Sequence, residues 1–184
     1  FTVSPNPICS NQTATVTFTG VACPGSTYAW TWPAGVTVVS GTGAGPYVIS
    51  FGAITAAAIY TLRLQVTGPS SLGACTSTQT TIDLTVNPAP TVIANALSFN
   101  TCAGPDAANA SAPSITLTPS IAGTTINWSL FAGTTPTGTP IQTGTGTPNY
   151  QFTNATCTDV SYVYQITPSF GGCTGTPINI AVLV

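Results

Sequence analysis

Side chains that could perform acid–base or nucleophilic chemistry are almost absent from this sequence. The charged residues are Arg63, Asp83, Asp106 and Asp159, and histidine, lysine and glutamate do not occur. A serine or cysteine nucleophile requires a neighbouring base, and glycoside hydrolysis requires a pair of carboxylates. Because the aspartates fall in separate predicted strands and loops, we expect no catalytic residues and no enzymatic activity.

Metal ions, cofactors and nucleic acids are poor partners for this composition. A calcium site needs several converging carboxylates, which isolated aspartates do not supply. A single arginine cannot neutralise a phosphate backbone. No apolar run approaches the roughly 20 residues of a membrane-spanning helix, because Thr, Ser, Gly and Pro interrupt every segment. We therefore expect no metal, no cofactor, no nucleic acid and no transmembrane segment.

The cysteines are the remaining residues whose side chains could react or bind a metal. There are six of them: Cys9, Cys23, Cys75, Cys102, Cys157 and Cys173. Their spacing contains neither a CxxC motif nor the Cys/His sets typical of metal sites. In a β-rich chain such cysteines favour disulfides, which persist in oxidising compartments. We predict an extracellular or cell-surface protein, and we interpret the chain as a mature or excerpted segment, since no signal peptide is visible.

The surface of this protein is predicted to be neutral. Charged residues make up 2 % of the chain, against roughly 25 % in an average soluble protein. The polar residues are instead mainly Thr, Ser, Asn and Gln. Such a surface lacks the charge that keeps proteins apart in solution. It suits a protein that stays packed against copies of itself.

The alternation of side chains between two faces indicates where the strands lie. In YAWTWPAGV, residues 28–36, the aromatic residues Tyr28, Trp30 and Trp32 lie on one face of an extended segment, which predicts a strand with Trp30 in the core. In INWSLFAGTT, Ile126, Trp128 and Leu130 share a face in the same way, so Trp128 is the second predicted core residue. One inward tryptophan in each half predicts two β-sandwiches in tandem.

No segment shows a convincing helical period, so the whole chain is predicted to be all-β. Alternation and turn residues place strands at 13–20, 28–34, 36–40, 46–51, 59–66, 80–86, 91–99, 114–120, 125–131, 140–144, 149–154, 161–168 and 178–184. The prolines of NPAP, residues 87–90, bar a continuing strand. They predict a boundary between domains 1–88 and 89–184.

Two features of the first half could form surface sites. Arg63 and Asp83 are expected to point outward from neighbouring strands, where a surface ion pair worth under about 1 kcal/mol is the simplest interpretation. The aromatic side chains of Tyr28, Trp30, Trp32 and Tyr47 could form a platform for surface glycans. We favour burial in the core over a platform, because a sandwich buries the face that they share.

The stretch YAWTWPAGVTVVSGTGAGPYVISF, residues 28–51, resembles the PKD-like, Ig-like repeats of bacterial cell-surface and secreted proteins. The stretch FTNATCTDVSYVYQITPSFGGCTGTPINIAVLV, residues 152–184, is similar to a second PKD-like type. The resemblance implies two antiparallel Ig-like sandwiches in a large surface or secreted protein, where such domains act as spacers, stalks and adhesin shafts. The chain differs from the pattern in its extra cysteines, Cys23 and Cys157, and in its lack of charge.

The Ig-like fold that the resemblance implies suggests which cysteines form disulfides. In that fold the first strand and the F–G loop share one pole, which favours the disulfides Cys9–Cys75 and Cys102–Cys173. Cys23 and Cys157 then remain at the poles that meet when copies stack head to tail, and they are candidates for an inter-subunit disulfide. Free buried thiols and a Cys9–Cys23 bridge are the alternatives.

The N-terminal segment FTVSPNP matches LTVNPAP at residues 84–90, the end of a strand followed by a linker. We therefore expect Phe1, Thr2, Val3 and Ser4 to belong to a preceding domain or to add a strand to the sheet edge of a neighbouring copy. A frayed terminus is the simpler alternative.

The sequence-based hypothesis for function follows from these features. We expect a structural subunit or repeat of an extracellular bacterial filament or surface fibre, a homopolymer that associates head to tail through neutral Thr-rich surfaces. The alternative is a carbohydrate-binding or spacer module of a larger secreted enzyme or adhesin.

Overall fold

The computed structural model describes residues 1–69, 76–101, 114–133, 140–150, 152, 154 and 158–184. Every regular element within these ranges is a β-strand, which confirms the all-β prediction. The chain divides into two compact units, Phe1–Ala89 and Pro90–Val184. No helix of the described segments has the length and hydrophobicity needed to cross a bilayer.

Unit 1 contains two four-stranded sheets. Its strands in chain order are β1 (Thr2–Ser4), β2 (Ile8–Cys9), β3 (Thr13–Thr17), β4 (Thr27–Thr31), β5 (Val36–Ser40), β6 (Tyr47–Phe51), β7 (Ala58–Thr67) and β8 (Thr80–Asn87). Sheet A has the order β1-β3-β6-β5, and sheet B has the order β2-β8-β7-β4. Strands β4 and β5 lie in different sheets, and the turn between them includes Gly35 at φ +90°, a conformation that favours glycine.

The core of unit 1 lies between its two sheets. Alternation along each strand directs one set of side chains inward, because successive residues point to opposite faces. The buried cluster draws on both sheets and consists of Ile8, Ala14, Val16, Ile49, Phe51, Leu62, Leu84 and Val86. Residues from both sheets in one cluster show that sheets A and B pack face to face.

Unit 2 contains a six-stranded sheet and a two-stranded sheet. Its strands are β9 (Val92–Ala94), β10 (Ser98–Asn100), β11 (Leu117–Pro119), β12 (Thr125–Ala132), β13 (Pro140–Thr145), β14 (Ser161–Phe170), β15 (Cys173–Thr174) and β16 (Ile178–Leu183). The larger sheet has the order β10-β16-β14-β12-β13, with β15 paired to β14, and β9 pairs with β11. Strand β12 is therefore an interior strand, hydrogen-bonded on both sides.

Among the described residues, the core cluster of unit 2 has more members than the core cluster of unit 1. The predicted inward residues of β12, Ile126, Trp128 and Leu130, are all buried. They pack with Val92, Ile115, Phe152, Tyr164, Ile166, Ile180, Val182 and Val184 in one cluster. Phe131, which follows Leu130 on the opposite face of β12, is also buried, at 8 % exposure.

The expectation of purely antiparallel sheets is wrong in two places. Strand β2 pairs with β8 in parallel, and β10 pairs with β16 in parallel. The predicted continuous strand 91–99 is divided into β9, which pairs with β11, and β10, which pairs with β16. Both departures have one physical cause. A segment near the start of each unit changes sheets, and it joins the last strand of the unit in the same direction.

Candidate functional surfaces

An aromatic cluster occupies one side of unit 1. The rings of Trp30 and Trp32 are stacked, with centroids 5.4 Å apart and planes inclined by 5°. Phe1 meets the Trp30 ring edge to face at 5.1 Å. Tyr47 contacts both tryptophan rings, at 5.3 Å and 5.2 Å. The tandem aromatic residues of the YAWTW stretch therefore contact one another and residues of sheet A.

The carbonyl of Gly43 holds this aromatic cluster in place. Trp30 donates its indole Nε1–H to the Gly43 oxygen at 2.9 Å, and the Tyr47 hydroxyl donates to the same oxygen at 3.2 Å. Such bonds satisfy the polar ends of rings whose apolar bodies pack inward. A sugar platform needs an exposed ring face, and here the stacked tryptophans cover a face of each other.

The prediction of Trp30 in the core requires a correction. Trp30 is partly buried and packs against the core cluster rather than inside it. The reason is the place of its strand, since β4 is the outer strand of sheet B and has a partner on one side only. Trp128, in contrast, is 8 % exposed and belongs to the core cluster of unit 2.

The outer face of sheet A carries hydroxyl side chains and no charge; we call it the hydroxyl face. The register aligns Thr2 with Thr17, Ser4 with Thr15 and Thr13 with Ser50, so that these residues share one side of the sheet. Thr37 lies opposite Ser50, and Ser40 lies opposite Val48. The members of the face are Thr2, Ser4, Thr13, Thr15, Thr17, Thr37, Ser40, Ser50 and the apolar residue Val48, and the exposed Val39 lies at the register shift beside Ser40.

The outer face of sheet B is different, and we call it the charged face. It carries Arg63 on β7 and Asp83 on β8, both exposed. The register does not pair the two residues, because they are offset from each other by two positions. Arg63 lies opposite Thr81, and Asp83 lies opposite Thr61. Asp83 accepts a hydrogen bond from the Thr61 hydroxyl at 2.6 Å, and Arg63 donates to Gln79 at 3.2 Å.

The N-terminal segment is part of its own unit, contrary to the expectation that it belongs elsewhere. Residues Thr2–Ser4 form β1, and Val3 pairs with Val16 of β3. The segment that follows is tied to β8, because the Asn6 amide donates to the Asp83 carbonyl at 2.9 Å and accepts from the Thr85 amide at 3.1 Å. Addition of Phe1, Thr2, Val3 and Ser4 to the sheet edge of a neighbouring copy stays a prediction.

The cysteines differ in their bonding state. Cys9 and Cys173 are each disulfide-bonded, whereas Cys23 is exposed and carries a free thiol. The alternative Cys9–Cys23 bridge is therefore wrong. Cys75, Cys102 and Cys157 lie outside the described residues. The predicted pairs Cys9–Cys75 and Cys102–Cys173, and the inter-subunit pair Cys23–Cys157, stay predictions.

A cleft of about 530 Å³ opens near the free thiol of Cys23. Its apolar lining includes Phe1, Phe18, Leu64 and Val66, and its rim carries Val21, which is fully exposed. No charged side chain lines the cleft within the described residues. Cys23 lines the cleft and is exposed to solvent.

Two polar atoms in the core of unit 2 are unusual. Trp128 Nε1 and the Tyr164 hydroxyl are buried, and neither makes a hydrogen bond of good geometry with any described residue. The two rings meet edge to face at 5.5 Å. Burial raises the pKa of Tyr164 from 10.0 to about 12, because the low-dielectric core disfavours the phenolate.

Within the described ranges no group of three or more His, Cys, Asp or Glu side chains is placed to hold a metal ion. Sequence reasoning missed the hydroxyl face, although its signal is visible in TATVT, residues 13–17. The alternation there places Ala14 and Val16 in the core and three threonines outside. The Gly43 carbonyl and the cleft beside Cys23 carry no local signal, because both depend on contacts between distant strands.

No protein-family model and no curated protein sequence matches this chain. Among solved structures, the chain is similar to the extracellular domain of protocadherin GammaB4, with a TM-score of 0.33 and 11 % sequence identity. The match covers 85 % of this chain and 26 % of the protocadherin chain, so the chain spans about a quarter of that protein's length. Likeness at this level carries no argument about function, and the resemblance to PKD-like repeats stays a prediction.

Proposed function

We propose that this chain is a structural subunit or repeat of an extracellular bacterial fibre and that it associates with copies of itself through neutral, hydroxyl-rich surfaces. The observation that supports this most directly is the hydroxyl face. It extends over all four strands of sheet A and carries no charged side chain. Net charge keeps proteins apart in solution, and this face has none.

The proposal includes the finer description of the fold. We interpret both units as Ig-like sandwiches of the PKD-like type. In unit 1 the support is a shared core between two four-stranded sheets. In unit 2 the two-stranded sheet contributes Val92, Ala94 and Leu117 to the core of the six-stranded sheet. An extracellular location agrees with the disulfide bonds of Cys9 and Cys173.

Electron microscopy and sedimentation of the purified chain test the proposal. Filaments with a regular subunit repeat are expected, and the weight-average mass should rise with protein concentration. Assembly should be nearly unchanged between low salt and half-molar salt, because there is little charge to screen. A chain that stays monomeric at every concentration would contradict the proposal.

A covalent lock between subunits is part of the same proposal. The accessible thiol of Cys23 is proposed to form a disulfide with Cys157 of the next copy, with dioxygen or a low-molecular-weight disulfide as the oxidant that accepts two electrons and two protons. Non-reducing electrophoresis should show a ladder of multimers that collapses with reductant. The ladder should be absent in both Cys23→Ser and Cys157→Ser, and a single monomer band without reductant contradicts the lock.

A carbohydrate-binding or spacer module is the second candidate. The partial exposure of Trp32 favours it, whereas the mutual stacking of Trp30 and Trp32 speaks against a flat platform. A glycan array separates the two functions. Binding that is lost in Trp32→Ala supports the carbohydrate-binding module, and a monomeric chain without glycan binding leaves the spacer.

A further inference from the structure

The sequence contains the acceptor triplet for N-linked glycans, Asn-x-Ser/Thr, at four asparagines: Asn11, Asn109, Asn127 and Asn154. The triplet alone is a weak signal, because it recurs by chance in a chain rich in threonine. An acceptor asparagine must also lie at the surface, with its triplet accessible to the transferase. The structure tests this requirement for three of these asparagines, since Asn109 lies outside the described residues.

Asn127 does not meet the requirement. It is partly buried on the interior strand β12, between Thr145 of β13 and Thr167 of β14. Its side-chain amide donates a hydrogen bond to the Ser169 hydroxyl at 3.2 Å. A transferase could not hold this triplet without separating β12 from the strands on both of its sides.

Asn154 is held by its side-chain amide. It is partly buried, and its Nδ2 donates to the Thr158 carbonyl at 3.0 Å and to the Val184 carbonyl at 2.9 Å. An amide nitrogen carries two hydrogens, so these two bonds use both of them. Attachment of a sugar replaces one of the hydrogens and would therefore break a bond to the backbone.

Asn11 lies in an exposed turn between β2 and β3. The turn is closed by the Gln12 amide, which donates to the Cys9 carbonyl at 2.9 Å. Asn11, Gln12 and Thr13 are all exposed. Thr13 begins β3 and points outward, because its neighbour Ala14 is the buried residue. The asparagine and the hydroxyl of this triplet can both be reached from solvent.

The turn is anchored through Ser10, the residue before Asn11. Ser10 is 8 % exposed, and its amide donates to the Asn87 carbonyl at 2.9 Å. Its hydroxyl accepts a hydrogen bond from the Ala89 amide at 3.1 Å. Because these anchoring bonds involve Ser10, a group added to Asn11 Nδ2 breaks none of them.

We infer that Asn11 is the attachment site of an N-linked glycan, with a lipid-linked oligosaccharide as the donor. In the transfer, Asn11 Nδ2 forms a bond to C1 of the first sugar and gives up a proton to the transferase. The bond between C1 and the diphosphate oxygen of the donor breaks, and the lipid diphosphate leaves with the electron pair. A glycan is bulky and solubilising, which suits a chain with 2 % charged residues. The inference goes beyond the proposed function, since it does not require self-association.

Mass spectrometry of the chain isolated from the cells that secrete it tests the inference. The chain has a single Lys or Arg residue, Arg63, so trypsin cleaves the reduced protein into fragments 1–63 and 64–184. Asn11 begins the one acceptor triplet of fragment 1–63. This fragment should carry the mass of a glycan, and its fragmentation should place the glycan on Asn11. An unmodified fragment 1–63 overturns the inference.

Variants of the triplet separate the attachment site from its surroundings. Asn11→Gln and Thr13→Val should each lose the glycan completely, whereas Thr13→Ser should keep it, because serine retains the hydroxyl of the triplet. Ser129→Ala destroys the triplet of Asn127 and should leave glycosylation unchanged. Thr13 is exposed, so its substitutions should leave the fold intact, which circular dichroism checks.

Two results would contradict the choice of Asn11. A glycan on fragment 1–63 that persists in Asn11→Gln is linked to a hydroxyl instead, and it overturns the inference. A glycan on Asn127 or Asn154 would show that burial and hydrogen bonding do not select the acceptor, and it overturns the argument from exposure.

Discussion

Trp30 and Trp128 come from similar alternating strands but lie in different surroundings. Strand β12 has β14 on one side and β13 on the other, and Trp128 on it is 8 % exposed. Strand β4 has β7 on one side and, among the described strands, no neighbour on the other, and Trp30 on it is partly buried. The lateral neighbours of a strand, rather than its sequence pattern, decide how deeply its inward side chain is buried.

The two tryptophans also differ in the hydrogen bonding of their indole N–H groups. The indole N–H of Trp30 lies at the margin of the core and reaches the Gly43 carbonyl. The indole N–H of Trp128 is buried with no such partner among the described residues. Deep burial therefore gives Trp128 more apolar contact. The position of Trp30 at the margin of the core allows its indole N–H to make a hydrogen bond. This contrast generates the predictions that follow.

The largest expected effect is on Trp128. Trp128→Ala should destabilise unit 2 by about 3–5 kcal/mol, the usual range for removing a large aromatic side chain from a core. Trp30→Ala should destabilise unit 1 by about 2 kcal/mol, since the side chain is only partly buried. Urea unfolding followed by circular dichroism measures both, and Trp128→Phe serves as a milder variant. Equal losses would show that strand position does not control burial energy here.

A smaller effect is expected at Gly144, the cross-strand partner of Trp128. A β-carbon at Gly144 would lie 2.4 Å from the Trp128 ring, so the ring packs directly on the glycine backbone. Gly144→Ala should destabilise unit 2 by about 1–3 kcal/mol through overpacking. In a Trp128→Leu background the same change should be nearly neutral, and a double-mutant cycle measures this coupling. Additive effects would contradict direct contact between ring and glycine as the cause.

Alkaline pH should destabilise unit 2 through Tyr164. Its pKa is about 12 in the folded protein against 10.0 as the ordinary value, so the unfolded state loses its proton first. The stabilising contribution is complete below pH 10 and is lost as the pH rises from 10 to 12. Tyr164→Phe should flatten this dependence, with Tyr28→Phe as the control. At pH 7, Tyr164→Phe should be neutral or slightly stabilising, because the hydroxyl is buried without a good partner.

The smallest effect is expected at Phe1. Phe1→Ala removes the edge-to-face contact with Trp30 and should destabilise unit 1 by about 1 kcal/mol. Deleting residues 1–4 removes β1 as well and should cost more, since β3 then loses a hydrogen-bonded neighbour. Thermal unfolding of the two variants measures the difference. A deletion with no effect on unit 1 would restore the expectation that this segment serves another domain or copy.

Much of the architecture was predictable because strand formation is a local property. Alternation in TATVT, VTVVS and TINWSLF reports which side chains can face a core, and the structure places strands at each of these stretches. The prolines after Asn87 bar a ladder hydrogen bond wherever they occur, and the boundary between the two compact units falls among them. The neutrality of the surface is a matter of composition alone.

Pairing between strands could not be predicted, because it joins residues far apart in the chain. Nothing near Cys9 indicates that β2 runs parallel to β8, more than 70 positions away. Nothing in YAWTW indicates that its strand is the last of sheet B. The sequence alone thus determined which segments are strands and which of their faces are apolar, through the two-residue period of extended backbone. Only the tertiary structure decided which strands lie at the edge and which hydroxyls share a face, since these depend on long-range contacts whose closure entropy no local pattern records.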